Sequence, residues 1–499
     1  MNRLRKVIRS TVISLLGQGV TWTSTLILTI AYGRFLGPVK FGELYFAITF
    51  VALIGFPIDA GFNQQLTRDV AQQPSKALQY VTNILCFKVV LWVVLYGCAL
   101  LLCRLLGYST EVCALVTICG ITLLISSIAN LMSALHYAFE RVVFPVVGNI
   151  LEKGLGGLIG VVLLAKGASI QVMALVLLGG ACVNMLWQSA WLLRLVGIPC
   201  TFDIPLARKL VRTSIPFILY GGLAVIYYRI DTVLLSLMTS TAAVGWYGAA
   251  YRIFDTLVFL PSVVINAIMY PVFSKLSAHS QTELKTAVEK SLNFLLFCCI
   301  PISTGLLVAA PKVIGFLYHR SDFINAIPVM QYLAPGLLFL YINSVLTSVL
   351  ISTGREKKIT VMAGIALLFN LGLNLLLIPL FQQVGAALVT SLTELLLMII
   401  ALMFIPRSLW PIGSVKVGFK SILAGLVMGL VVWFQQEKTL LAILPVAAIV
   451  YFGTATLLGT IPRDDVRAFC NSIPLFGIEQ ETPSLALGQD TAVVQREVE

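Results

Sequence analysis

The feature that most constrains this chain is a succession of long apolar segments. A bilayer core of roughly 30 Å takes about 20 apolar helical residues to cross, and fourteen segments have that length and character. They are residues 10–31, 43–62, 80–103, 112–134, 144–165, 170–195, 213–238, 244–270, 289–310, 328–351, 359–379, 385–404, 419–434 and 439–460. Only 11% of the residues are charged, against about a quarter in a soluble domain. The sequence therefore predicts an all-α integral membrane protein with about 14 transmembrane helices.

The basic residues predict how these helices are oriented. With the N-terminus in the cytoplasm, 23 Lys and Arg fall on cytoplasmic segments, 7 on the opposite loops and four inside spans. Cytoplasmic loops of membrane proteins are enriched in Lys and Arg, so we expect both termini to be cytoplasmic. The same enrichment accounts for the net charge of +12, and we expect no nucleic-acid partner.

A weak internal repeat predicts how the helices are grouped. FGELYFAI follows the first span and VGWYGAAY follows the seventh, so that Gly42 aligns with Gly245 and Ala47 with Ala250. Repeats of this kind are typical of transporters, whose substrate path runs between the two halves. We expect two parallel six-helix lobes plus two additional C-terminal helices. The predicted boundaries are 1–195 for the N-lobe (helices 1–6), 196–212 for a cytoplasmic linker, 213–405 for the C-lobe (helices 7–12), 406–460 for helices 13 and 14, and 461–499 for a disordered cytoplasmic tail.

Ionisable side chains inside apolar spans are the candidates for function, because each costs about 2.5–3.5 kcal/mol near a bilayer centre. We expect the intramembrane cations, together with two tyrosines, to line a substrate-binding cavity between the lobes. These substrate-binding candidates are Lys88, Lys153, Arg229, Arg252, Tyr227 and Tyr251. The acids in or near the spans are candidates for coupling to a proton or Na⁺, and they are Asp231, Asp255, Glu152 and Asp59.

A structural role is the alternative for these charges. Arg252 and Asp255 are three residues apart and could pair on one helical face, and Glu152 could neutralise Lys153. Arg229 and Asp231 are two apart and point to different sides of a helix. Arg229 therefore needs a partner on another helix or an anionic ligand.

A polar stripe in the first span also favours a wet interior. Its residues follow a 4-3-4 spacing that places them on one helical face, although hydrogen bonds between helices would explain it equally well. The stripe consists of Ser14, Gln18, Thr21 and Thr25.

Several classes of enzyme and metalloprotein are disfavoured by the sequence. The ten cysteines include no CxxC pair and the three histidines are far apart, so no metal site is predicted. No GxxxxGK[ST] loop is present, which argues against ATP hydrolysis. The longest loop predicted outside the cytoplasm, 311–327, is too short for a catalytic domain. We expect a protein that is not an enzyme and that carries no cofactor, apart from a coupling proton or Na⁺.

A series of segments resembles one family of exporters. RIDTVLLS, VGWYGAAYRIFDTLVFLP, YPVFSKL, STGREKKI and NLGLNLLLIP occur in the order seen in bacterial O-antigen and exopolysaccharide flippases. These flippases belong to the multidrug/oligosaccharidyl-lipid/polysaccharide exporter superfamily. In the first half, GRFLGPVKFGELYFA resembles the segment after that family's first helix. The resemblance covers residues 5 to 460.

The resemblance implies a flippase of the bacterial cytoplasmic (inner) membrane. Such a protein moves a polyprenyl-pyrophosphate-linked oligosaccharide from the cytoplasmic to the periplasmic leaflet by alternating access, for lipopolysaccharide or exopolysaccharide export. The implied partners are the lipid-linked glycan, membrane lipids and other polysaccharide assembly proteins. Our hypothesis is a relay in which Lys88 and Lys153 engage the anionic head group on the inner side, and Arg229 and Arg252 take it on the outer side.

Three other functions stay open at this point. A lipid II flippase of the same superfamily would share the fold and the charges. A cation-coupled multidrug antiporter would need an acidic cavity, whereas four cations lie within these spans. A membrane-embedded polysaccharide polymerase or ligase would need a sizeable catalytic loop or domain.

Overall fold

The computed structural model describes residues 2–59, 61–196, 202–319, 321–435 and 437–460, and every regular element within them is helical. The predicted all-α class is therefore confirmed. The predicted tail, 461–499, and residues 197–201 of the predicted linker lie outside the described residues. Within the rest of that linker a long helix begins at Ile204, where the Asp203 carboxylate accepts a hydrogen bond from the Leu206 amide at 3.2 Å.

The described residues of the first half of the chain form seven α-helices, and a π-helical turn, Leu151–Leu155, joins the fifth to the sixth. They are α1 (Asn2–Gly55), α2 (Phe62–Gln72), α3 (Ala77–Leu105), α4 (Thr110–Ala138), α5 (Val143–Ile150), α6 (Gly156–Ala165) and α7 (Ile170–Val196). The first two predicted spans are the two limbs of α1, which bends at Gly37 (φ 76°, ψ 173°). A positive φ suits glycine, and the following Pro38 lacks the amide that would continue the helix.

The second half, as far as the structure describes it, contains ten further α-helices. They are α8 (Ile204–Met238), α9 (Thr241–Leu257), α10 (Phe259–Val263), α11 (Tyr270–His279), α12 (Gln281–Val308), α13 (Ala310–Tyr318), α14 (Ala326–Ser352), α15 (Glu356–Phe404), α16 (Ile412–Phe434) and α17 (Leu440–Leu457). Like α1, α15 is bent, here at Gln382 (φ 50°, ψ −129°), and its two limbs are predicted spans 11 and 12.

Eleven helical stretches within the described residues are long and apolar enough to cross a membrane. Two of them bend into two limbs each, so together they account for thirteen of the fourteen predicted spans. The remaining predicted span, 244–270, is divided among α9, α10, a π-helical turn at Val264–Met269 and the first residue of α11. The count of fourteen stays a prediction.

The helices pack as two bundles with a pair of helices added at the end. Helices α1 to α7 form one bundle, in which α4 lies against α7, and α8 to α15 form the other, in which α14 lies against α15. The bundles meet mainly where α1 packs against α9 and α8, and α16 lies on the outside of α12 with α17 beside it.

A close approach of the bundles joins the two glycines that the repeat aligns. A Cβ on Gly42 would overlap the Thr241 carbonyl oxygen and lie 2.8 Å from the Gly245 nitrogen, and a Cβ on Gly245 would overlap the Pro38 carbonyl oxygen. Small residues allow helix backbones to approach this closely in membranes. Nearby, Arg34 of α1 donates to the carbonyl oxygens of Phe316 (2.6 Å) and Leu317 (2.5 Å) in α13. These contacts join the bundles at the end predicted to be periplasmic.

The bundles also touch nearer the opposite end. The Trp22 ring of α1 lies 5.3 Å, centroid to centroid, from that of Phe259 in α10. The Phe56 ring packs so closely on α8 that a Cβ on Gly221 would lie 2.6 Å from it. The bundles thus meet in two layers of contact, one around Gly42 and Gly245 and one around Trp22 and Phe259. A cavity lies between these two layers.

Candidate functional site

The cavity between the bundles, which we call the inter-lobe cavity, has a volume of about 310 Å³. It is bounded by α1, α4, the π-helical turn, α6 and α7 on one side and by α8 and α9 on the other. Three of the four predicted cations line it: Lys153, Arg229 and Arg252. The structure therefore brings together charges that are up to about a hundred residues apart in the sequence.

Arg229 is paired across helices, as the spacing in its segment required. Its guanidinium Nη2 lies 3.4 Å from the Asp255 carboxylate of α9 and its Cζ lies 5.8 Å from the centroid of the Tyr251 ring. The Arg229 side chain is 30% exposed, so the pair is accessible from the cavity. The alternative pair between Arg252 and Asp255 is not observed, because the Asp255 carboxylate pairs with Arg229.

Arg252 has a different environment. Its Nε donates to the Thr29 hydroxyl at 3.4 Å, and within the described residues no carboxylate lies within ion-pair distance of it. A guanidinium carries five N–H donors, and this long bond is the one hydrogen bond that engages them within the described residues. Arg252 thus has donors still available to an anionic ligand.

Lys153 is paired on its own helical turn. Its ammonium lies 2.7 Å from Glu152 Oε1, and the other carboxylate oxygen of Glu152 accepts from Asn184 at 2.7 Å. This is the structural alternative stated for Glu152. The Lys153 side chain is still 45% exposed. Both residues lie in the π-helical turn Leu151–Leu155, a local widening of the helix that frequently marks functional sites.

Lys88 lies outside the cavity. Its side chain is 0% exposed, and its ammonium donates to the Asp59 carboxylate and to the hydroxyl (2.9 Å) and carbonyl (3.2 Å) oxygens of Ser127. Asp59 also accepts from Ser127 (2.7 Å) and Asn130 (3.3 Å). All three ammonium donors are in use. In this conformation Lys88 has the geometry of a structural ion pair, and its predicted contact with substrate stays a prediction.

Three of the predicted site residues are buried and do not line the cavity, namely Asp231, Tyr227 and Tyr251. Asp231 accepts from the Tyr247 hydroxyl and from the Thr232 amide (2.7 Å). Tyr251 lies beneath Arg229 and its hydroxyl donates to the Tyr228 carbonyl at 3.5 Å. Tyr227 lines a separate chamber in the second bundle. The two tyrosines predicted to line a cavity between the lobes are therefore not among the residues that line it in this conformation.

Two tyrosines of α1 occupy that position instead. Tyr32 and Tyr45 line the cavity, and their buried hydroxyls have no hydrogen-bond partner within the described residues. The sequence carried a signal for Tyr32, because the polar stripe that ends at Thr25 continues at the same spacing through Thr29 to Tyr32. Of the original stripe, Thr25 lines the cavity. Tyr45 had no such signal, since it lies beyond the bend at Gly37.

The chain matches one protein family over more than half its length. Residues 32–323 match the family described as polysaccharide biosynthesis protein. An uncharacterised membrane protein of Methanocaldococcus jannaschii is 28% identical over 255 residues, which is 50% of this chain and 50% of that protein. A protein of Haloferax volcanii named a probable low-salt glycan biosynthesis flippase, Agl15, is 22% identical over 374 residues, 72% of this chain and 75% of that one.

The fold is also found among solved structures. The lipid II flippase MurJ in an inward closed conformation matches with a TM-score of 0.73 and 16% identity, covering 89% of this chain and 98% of that one. At this identity the likeness concerns the fold alone.

Proposed function

Because the chain belongs to the polysaccharide biosynthesis protein family, we propose that it is a flippase for an oligosaccharide linked to a polyprenyl pyrophosphate. Membership of this family confirms the resemblance drawn from the sequence. The observation that carries the proposal is the meeting of Lys153, Arg229 and Arg252 in one cavity between the lobes. The name of the Haloferax volcanii relative, a glycan biosynthesis flippase, supports the same substrate class.

The charge of the cavity suits a pyrophosphate. Among the described residues that line it, one acid, Glu152, stands beside three cations, and Arg252 has no acid partner. A pyrophosphate binds best through several charge-assisted hydrogen bonds, for which guanidinium groups are well shaped. In a low-dielectric path an anion needs such countercharge. The Tyr32 and Tyr45 hydroxyls would then bond the sugar next to the phosphates.

Alternating access gives the two layers of bundle contact their roles. The layer around Gly42 and Gly245 must open to release the head group on one side, and the layer around Trp22 and Phe259 must open to admit it on the other. A cavity of about 310 Å³ corresponds to the interval when both are closed. We place the protein in the cytoplasmic membrane with both termini cytoplasmic, working for polysaccharide export beside other assembly proteins.

Ion coupling is proposed through acids that hold the cavity's cations. A proton or Na⁺ on Asp255 would release Arg229 to the pyrophosphate, and one on Glu152 would release Lys153, since each carboxylate now lies within 3.4 Å of its cation. Asp231 and Asp59 are the further candidates. They hold α8 to α9 and the Lys88 site respectively, so an ion there would act through helix packing.

The test is flipping of a fluorescent polyprenyl-pyrophosphate glycan in proteoliposomes that contain the purified protein. Arg252→Gln removes a charge-assisted contact worth about 1.5–3 kcal/mol, so the concentration needed for half-maximal flipping should rise roughly ten- to hundredfold. Arg104→Gln is the matched control, because Arg104 is exposed near the end of α3. Equal flipping by parent and Arg252→Gln protein would contradict the proposal. Dye transport without glycan transport would indicate a drug antiporter instead.

A further inference from the structure

A second cavity, of about 320 Å³, lies wholly within the second bundle. We call it the C-lobe chamber. It extends from Tyr227 and Glu394 to Ile351 and Ile359, beside the turn that joins α14 to α15. That turn is on the side predicted to be cytoplasmic. Glu394 lies ten residues before Phe404, the end of α15, or roughly 15 Å along the helix. The chamber thus reaches from that side toward the middle of the membrane.

Glu394, at the inner end of the C-lobe chamber, is an acid without a cation. It is 2% exposed, its carboxylate accepts from the Asn343 side-chain amide at 2.8 Å, and a long contact of 3.4 Å joins it to the Tyr228 hydroxyl. Within the described residues no Lys or Arg lines the chamber. By contrast Asp59, Asp255 and Glu152 each hold a Lys or Arg. A buried carboxylate is stabilised by a positive partner, and the part of the chain that the structure describes supplies none to Glu394.

Two more polar atoms of the chamber are unpartnered. The Asn343 side-chain oxygen and the Ser348 hydroxyl have no hydrogen-bond partner within the described residues, and both residues are more than nine-tenths buried. Asn343 already gives its amide hydrogens to the carboxylate and the carbonyl of Glu394, so the atom left over is an acceptor. A carboxylate, an amide oxygen and a hydroxyl together form a set of acceptors that suits a ligand with N–H donors or a positive charge.

The walls and the size of the chamber narrow the class of ligand. Tyr227 and Tyr228 both line it, with ring centroids 4.2 Å apart, and aromatic rings attract ammonium groups. The other lining residues are mainly apolar. A volume of about 320 Å³ is at the lower end of the range of small-molecule pockets, and a water takes only about 30 Å³. A bare metal ion would leave most of this space unfilled.

We propose that the C-lobe chamber binds a small organic ammonium ion, which enters from the end near the α14–α15 turn. Its positive nitrogen lies between the Glu394 carboxylate and the rings of Tyr227 and Tyr228, and the Asn343 oxygen and Ser348 hydroxyl accept from it or from its polar substituents. This site is separate from the inter-lobe cavity and opposite to it in charge preference. It goes beyond the proposed flippase function and does not depend on it.

The test is calorimetric titration of the purified protein with choline and with its neutral carbon isostere, 3,3-dimethyl-1-butanol. Choline should bind at least about tenfold more tightly than the isostere, because only the cation gains from the carboxylate and the rings. Glu394→Gln should abolish this preference, while Glu356→Gln, an exposed acid in the first turn of the same helix, should keep it. No lipid-linked glycan is present, so the result is independent of flipping.

A second variant keeps the test decisive if Glu394→Gln fails to fold. Ala363→Leu adds bulk to the wall of the C-lobe chamber and keeps Glu394 unchanged, and it too should remove choline binding. Equal binding of choline and the isostere by the parent, or unchanged choline binding in Glu394→Gln, would overturn the proposal. Binding of Na⁺ or K⁺ with no binding of choline would overturn it as well, in favour of a metal-ion site.

Discussion

Replacing Gly42 by alanine should push the two lobes apart at the end predicted to be periplasmic. The added Cβ would overlap the Thr241 carbonyl oxygen and lie 2.8 Å from the Gly245 nitrogen. Both atoms belong to the backbone of α9, so no side chain can rotate away to relieve the clash. The helices themselves must separate, and the lobe contact must loosen with them.

The size of the effect follows from this geometry. Overpacking costs about 1–3 kcal/mol when side chains can adjust, so a clash with backbone belongs near the upper value, about 2–3 kcal/mol. A difference of 1.4 kcal/mol changes an equilibrium constant tenfold. The equilibrium between the closed and open forms of the contact around Gly42 and Gly245 should therefore shift by roughly 30- to 140-fold toward the open form. Alanine also stabilises a helix by about 1 kcal/mol relative to glycine. The control must therefore be another Gly→Ala change within a helix.

Hydrogen–deuterium exchange of the protein in lipid nanodiscs measures this shift. Segments 38–45 and 241–248 should exchange faster in Gly42→Ala, and Gly245→Ala should give the same pattern from the other side of the contact. Gly364→Ala is the control, since nothing lies within 4 Å of a Cβ at that position in α15. If both segments exchange in Gly42→Ala as they do in Gly364→Ala, the glycine contact does not hold the lobes closed and the reasoning is refuted.

Two further predictions concern buried polar contacts, both measured as the free energy of unfolding in SDS titrations of mixed micelles. Lys88→Met leaves Asp59 without its cation and should destabilise the protein by about 3 kcal/mol, whereas the double variant Lys88→Met/Asp59→Asn should recover most of that loss. Normal flipping by the stable double variant would contradict the predicted contact between Lys88 and substrate. Tyr247→Phe removes the hydroxyl that bonds the buried Asp231 and should cost about 1–3 kcal/mol; a cost indistinguishable from zero would show that Asp231 does not depend on this bond.

The lining of the inter-lobe cavity was partly predictable because charge in an apolar span is a strong signal. Lys153, Arg229 and Arg252 stand out in sequence since insertion in lipid is costly for each of them, and all three line the cavity. Their partners were less predictable. The i,i+3 spacing favours a local pair between Arg252 and Asp255, but the structure pairs Asp255 with Arg229 on the neighbouring helix. Spacing along one helix cannot show which helix lies opposite.

Breaks in helices account for most of what the sequence did not predict. Asp59 lies where α1 gives way to a short 3₁₀ turn, Phe56–Ile58, and this change of direction brings its carboxylate to Lys88 in α3. The bend at Gly37 similarly brings Tyr45, on the second limb of α1, to the cavity that Tyr32 lines from the first. The interruptions around residues 258–269 divide the predicted span 244–270. Hydropathy detects apolar length, whereas these features depend on local backbone geometry.

One short segment of α8 connects the inter-lobe cavity with the C-lobe chamber. Tyr227 and Tyr228 line the chamber and the next residue, Arg229, lines the inter-lobe cavity, while Asp231 is fixed to Tyr247 of α9. Successive side chains of a helix are turned by about 100°, so three neighbouring residues can serve two compartments. A movement of this segment that brings Arg229 toward a pyrophosphate must therefore also move the two tyrosine rings beside Glu394. If both proposed ligands bind, linkage requires each to change the affinity for the other by the same factor. Such coupling would give α8 a reason to retain Arg229 in an apolar segment.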